Sequence, residues 1–144
     1  MKFNVDVVQK VLAEYLESLV RLKELALIPF EQFTADPHKI ASAKYHFIIA
    51  IEAAIDICNH LIAKNALRVP EDYSDTFRVM GENNLLPADF IPTLVDMAKF
   101  RNRLVHRYWD VDTTYLYQVL KEDYGDLERF LTEVKGGLSG CNKT

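Results

Sequence analysis

The run Tyr45-His46-Phe47-Ile48-Ile49-Ala50-Ile51-Glu52-Ala53-Ala54-Ile55-Asp56-Ile57-Cys58-Asn59-His60 decides the fold. It lies within a stretch from Pro37 to about Leu67. The apolar residues there, Ile40, Ala43, Tyr45, Phe47, Ile48, Ile51, Ala54, Ile55, Cys58, Leu61 and Ile62, follow helical spacing. Asp36-Pro37 supplies an N-cap followed by proline at the first helical position. These residues are too numerous for one narrow stripe, so the helix is expected at the centre of a bundle, or pressed between its own bundle and a second copy. Its polar residues His46, Glu52, Asp56, Asn59 and His60 then become candidates for a lined groove or a dimer contact. The longest apolar stretch, around Phe47 to Ile51, ends at Glu52, too short to span a bilayer, and no membrane association is expected.

Outward from this helix, Val7, Val8, Val11, Leu12, Tyr15, Leu16, Leu19, Leu22 and Leu25 mark an earlier helix from about Val5 to Leu27. Pro29 to Phe33 reads as a connection. A short helix is expected over Ser74–Asn83, a fourth over Asp89 to about Arg107, and a fifth over Asp112–Lys135, opened by an Asp112 cap and stopped by Gly136-Gly137. No segment alternates with period two and none repeats. The expectation is an all-α, single-domain, up-and-down helical bundle of about five helices, spanning residues 1–137, with 138–144 as a flexible C-terminal tail.

Bulk properties fit that picture. A chain of 144 residues, 49% hydrophobic and 26% charged with 5 Gly and 5 Pro, is one globular unit rather than a disordered or fibrous chain. A net charge of -4 excludes a surface that is wholly a polyanion-binding patch and confines any nucleic-acid contact to a local cluster. Cys58 and Cys141 lack metal-ligand spacing and read as a core thiol and a tail thiol. Met1-Lys2-Phe3-Asn4-Val5-Asp6 does not read as a secretory signal, so a cytoplasmic location is expected.

One charge anomaly stands out. Between Lys99 and Tyr108 the chain carries Lys99, Arg101, Arg103 and Arg107 and no acidic residue, together with His106 and Tyr108. Neutral imidazole takes a proton from an attacking hydroxyl, imidazolium gives one to a leaving oxygen, and guanidinium stabilises charge on phosphoryl oxygens. These groups suffice to cleave RNA without a metal or cofactor, because the ribose 2′-hydroxyl is a built-in nucleophile. Arg101 and His106 are separated by about 140° around an ideal helix, so spacing alone does not assemble the pair. The arginine must reach round a fraying helix end, or a second protomer must complete the groove. Asn102, four before His106, shares its face and is placed to orient the ring. The bland alternative is that the basic residues complement the helix dipole while His106, Tyr108 and Trp109 cap and pack the last turn.

Arg101-Asn102-Arg103-Leu104-Val105-His106-Arg107-Tyr108 resembles the R-x-x-x-x-H-x-Y motif of HepT-like toxins, helical ribonucleases of the HEPN superfamily, and the run from Tyr45 to His60 is similar to that family's long central helix. The resemblance covers essentially the whole chain. It implies a HEPN-like fold, Arg101 and His106 as the catalytic pair, Asn102 as a supporting residue, and a homodimer whose two motifs line one cleft. It further implies RNA as substrate and a minimal nucleotidyltransferase antitoxin as partner, neutralising the toxin by AMPylation of Tyr108. The alternative is a non-catalytic helical binding partner of such a nucleotidyltransferase. Elsewhere, His38 reads as an exposed first-turn residue. His46 and His60 read as packing or hydrogen-bonding groups rather than metal ligands. Glu52 and Asp56 read as a carboxylate pair or as partners of arginines, and Tyr115, Tyr117 and Tyr124 as helix packing.

Overall fold

A computed structural model describes residues 1–139 and 142–143. Among the described residues seven α-helices follow one another: α1 (Val5–Ala26), α2 (Phe30–Thr34), α3 (Pro37–Lys64), α4 (Tyr73–Glu82), α5 (Ile91–His106), α6 (Thr113–Glu122) and α7 (Tyr124–Ser139). Short 3-10 turns at Ala88–Phe90 and Tyr108–Asp110 bracket α5. At the chain ends β1 (Lys2–Phe3) pairs in parallel with β2 (Asn142–Lys143) in a two-residue register.

The long central helix forms as its sequence dictates. Asp36 Oδ1 accepts from the His38 and Lys39 amides, Pro37 opens the first turn, and α3 then runs unbroken to Lys64. Phe47, Ala50, Ile51, Ala54, Ile55, Cys58, Leu61 and Ile62 are among its buried residues, and α1, α2, α4, α5 and α6 all pack on it. An 18-residue window of α3 has mean hydropathy 1.5, apolar and long enough by composition to cross a membrane. Phe47, Ala50, Ile51, Ala54, Ile55 and Cys58 lie buried at the centre of the bundle, while Tyr45 on the same helix is exposed. Burial pushes the Cys58 thiol up, out of the reactive range. Cys141 lies outside the described residues.

Three details depart from the sequence expectation. The connection after Pro29 contains a helical turn, α2, because Phe33 is fully buried and Phe30 and Phe33 both pack on the Tyr117 ring, with centroids 5.3 Å away. Tyr117 Oη also donates to the Ile28 carbonyl at 2.6 Å. The expected fifth helix is two, α6 and α7, divided at Asp123, where Asp123 and Gly125 are both weak helix formers. The break turns α7 onto α1, where the buried Tyr15 Oη donates to the Leu127 carbonyl at 2.6 Å and the Tyr15 and Phe130 rings meet at 5.6 Å. Finally, Gly136-Gly137 do not stop α7, which continues to Ser139. Neither glycine adopts positive φ, so neither acts as a left-handed cap. Residues 140, 141 and 144 of the expected tail lie outside the described residues.

Candidate active site at the end of α5

α5 buries Leu94, Val95, Ala98 and Leu104. Arg101, three residues after Ala98 and seven after Leu94, falls on that same core-facing stripe and points at α3. Its Nε and Nη2 donate to Glu52 Oε1 at 3.1 and 2.6 Å. Nη1 donates to Asn102 Oδ1 at 3.1 Å, and the guanidinium lies over the Tyr73 ring of α4, 4.7 Å from its centroid. Only 13% of the Arg101 side chain is exposed. A single arginine thus ties α3, α4 and α5 together with its planar fork fixed at one carboxylate.

His106 is the last residue of α5 and is exposed. It shares a helix face with Lys99 and Arg103, at spacings of seven and three, rather than with Arg101. Lys99 and Arg103 line a groove of about 510 Å³ between α3, α5, α6 and α7, which also holds Phe100 and Tyr115. Arg103 lies over the Tyr115 ring at 5.3 Å, and that ring, 41% exposed, also packs edge-on against Phe100 at 6.0 Å, as its reading as packing expects. Asp96, Asp123 and Asp126 line the far wall, where burial and the neighbouring Asp126, Glu122 and Asp96 raise the Asp123 carboxyl above its usual range. The groove is therefore of mixed sign.

The helix ends where Arg107 leaves helical geometry, its amide still donating to the Arg103 carbonyl at 2.8 Å. The turn that follows is braced by Arg107 Nε on Asp110 Oδ2 at 3.0 Å. Tyr108 is 39% exposed in that turn and Trp109 78% exposed beside it. Beneath Tyr108, Lys44 of α3 donates from Nζ to the Tyr108 carbonyl at 2.8 Å and stands 4.1 Å from the centroid of its ring.

Arg101, Asn102 and Glu52 are thus brought together, and His106 and Tyr108 lie on the adjoining helix end. Within one chain Arg101 and His106 remain on different faces, as five-residue spacing requires. Asn102 Oδ1 is engaged by Arg101, and no hydrogen bond joins the Asn102 amide to the His106 ring among the described residues. Of the α3 polar residues, Glu52 pairs with Arg101, while His60 Nε2 accepts from the Asn4 amide at 2.9 Å and Asn59 Oδ1 accepts from Thr76 at 3.0 Å. His46 Nδ1 lies 3.5 Å from Ser18 Oγ. The two histidines therefore serve hydrogen bonding and packing. Sequence reasoning passed over Tyr73 and Lys44. Lys44 did leave a signal, being a charged residue on the apolar stripe Ile40, Lys44, Phe47, Ile51.

The described residues form a helical bundle in which a basic helix end carries an exposed histidine next to an exposed tyrosine. The sequence pattern of the family described as ribonuclease HepT-like matches residues 15–134, and the chain belongs to that family. It is 31% identical over 84 residues to an mRNA nuclease HepT of Shewanella oneidensis, a match covering 58% of this chain and 63% of that protein. It is 30% identical over 71 residues to a tRNA nuclease HepT of Aphanizomenon flos-aquae, covering 48% of this chain and 47% of that one. These matches span less than two thirds of either nuclease. The tri-AMPylated Shewanella oneidensis HEPN toxin, solved in complex with MNT antitoxin, superposes with a TM-score of 0.83 at 25% identity, over 91% of this chain and 98% of that one.

Proposed function

We propose that this protein is a cytoplasmic RNA-cleaving toxin of a toxin–antitoxin pair, in which Arg101 and His106 act without a metal at a homodimer cleft. The observation that carries the reading is the exposed His106 side chain, without a hydrogen-bond partner among the described residues, at the end of the helix whose Arg101 is held by Glu52 of α3 and by Asn102. His106 removes the ribose 2′-hydroxyl proton and the 2′-oxygen bonds to phosphorus. The bond from phosphorus to the 5′-oxygen breaks, and that oxygen takes up a proton. A 2′,3′-cyclic phosphate and a 5′-hydroxyl result. Arg101 stabilises the charge on the phosphoryl oxygens, and dimerisation brings a second motif to the same cleft.

Tyr108 is the regulatory site in this reading. A nucleotidyltransferase antitoxin directs the Tyr108 phenolic oxygen onto the α-phosphorus of ATP, pyrophosphate departs and the phenolic proton is released. The AMP units so attached place negative charge and bulk two residues from His106 and repel an RNA backbone. The AMPylated state named for the superposed toxin supports this role, and the 39% exposure of Tyr108 leaves its phenol within reach of a partner.

Purified dimer is expected to cleave RNA in the presence of a chelator, and His106→Ala to lower the rate at least about a hundredfold, the usual worth of general acid–base catalysis. Equal rates for the two proteins would sink the assignment. A second reading, a non-catalytic partner that only docks the nucleotidyltransferase, is favoured by the commitment of Arg101 to Glu52. It predicts tight partner binding with no cleavage by either protein.

A further inference from the structure

Among the described residues Lys44 is the one buried basic side chain, only 6% exposed, and it makes no ion pair. Burial holds its ammonium below the usual lysine range, and no carboxylate offsets that effect. A desolvated cation without a counter-ion is a costly feature that apolar substitution ordinarily relieves. Both of its polar contacts are to one residue, the carbonyl and the ring face of Tyr108.

We infer that Lys44 is the built-in counter-ion of a phosphodiester carried on the Tyr108 phenolic oxygen, so that nucleotidylation of Tyr108 completes a buried charge pair. This rests on the AMPylation reading of Tyr108. A phosphate free in solution, or one in an RNA backbone, meets a side chain that is 6% exposed and roofed on one side by the tyrosine ring. A phosphoryl group tethered to the same ring can reach the ammonium, because rotation about the aryl–oxygen bond carries its non-bridging oxygens out of the ring plane onto the face where Nζ stands. One negative charge arrives beside a positive charge that has no counter-ion, and a charge-assisted hydrogen bond joins the existing one to the Tyr108 carbonyl. The modification then does more than obstruct the cleft. It locks the turn from Tyr108 to Asp110 against α3, and the nucleotide beyond the phosphate is held in a fixed direction.

The test compares wild type, Lys44→Met and Lys44→Arg, each before and after treatment with the cognate nucleotidyltransferase and ATP, with the mass at Tyr108 and the melting temperature read on the same samples. Wild type is expected to gain about 5 °C on modification. Lys44→Met should gain nothing or lose stability, and Lys44→Arg should recover most of the gain. A purely structural role for Lys44 would change the unmodified melting temperatures and leave the shift on modification alike in all three. That result overturns the pairing while leaving AMPylation standing. If wild type gains no mass at Tyr108, the AMPylation reading fails and the pairing with it. A second measurement needs no variant: the ammonium resonance of Lys44 in 15N-labelled wild type should titrate at higher pH after modification, and an unchanged titration overturns the pairing.

Discussion

Replacing Glu52 with alanine removes the carboxylate that receives two donors of Arg101, at 2.6 and 3.1 Å. The arginine side chain is 13% exposed and the glutamate 35%. Breaking a fully buried pair costs about 3–5 kcal/mol, and an exposed pair contributes about 0–1 kcal/mol. With one partner nearly buried and the other a third exposed, solvent screening brings the expected loss to about 2 kcal/mol. In a chain of this length that lowers the melting temperature by about 6 °C. The source of the loss is a guanidinium left with Asn102 and the Tyr73 ring as its remaining contacts. A double-mutant cycle isolates it: Glu52→Ala in an Arg101→Met background should cost under about 0.5 kcal/mol, since the group left unpaired is gone. Thermal and urea melts of the four proteins give the coupling directly. RNA cleavage should fall about tenfold or more in Glu52→Ala, because an arginine free to swing loses its orientation. A melting temperature within about 1 °C of wild type, or equal costs of Glu52→Ala in the two backgrounds, would refute the argument that this pair fixes Arg101.

Two further outcomes follow from contacts remote from the site. Hydrogen bonds from Arg68 and from the Glu71 amide hold the Asp75 carboxyl down at about 2, so its contribution to stability is present above the unfolded value near 3.9 and is lost as pH falls from there toward 2. Asp75→Asn should therefore melt lower than wild type at neutral pH, with the gap closing across that acid window, and a constant gap would contradict the assignment. Tyr15→Phe removes the buried bond from the hydroxyl to the Leu127 carbonyl and should cost about 1 kcal/mol, read as a melting temperature lower by about 3 °C. No change would mean that this bond does not hold α7 to α1.

Much of the architecture was legible in the sequence because it rests on local periodicity and capping. Asp36-Pro37 begins α3 and Asp112 begins α6 as their side chains dictate, the latter accepting from the Tyr115 amide at 3.2 Å. The apolar run from Tyr45 to His60 demanded a central helix and became one. Boundaries failed where long-range packing overrode local preference. Phe33 makes a helical turn because its buried ring packs against Tyr117, and Gly136-Gly137 stay helical although their intrinsic preference opposes it.

The same division holds at the candidate site. Sequence by itself set the residue types and the order Arg101, Asn102, His106, Tyr108, and helical geometry alone required the arginine and histidine to diverge. Which side chain each would meet depended on residues 49 and 64 positions away in the chain, Glu52 for Arg101 and Lys44 for Tyr108. One-dimensional patterning specifies which face of a helix is buried but not what lies opposite it. Only when α3 and α5 are docked does a glutamate become the anchor of an arginine and a lone buried lysine become the floor beneath a tyrosine.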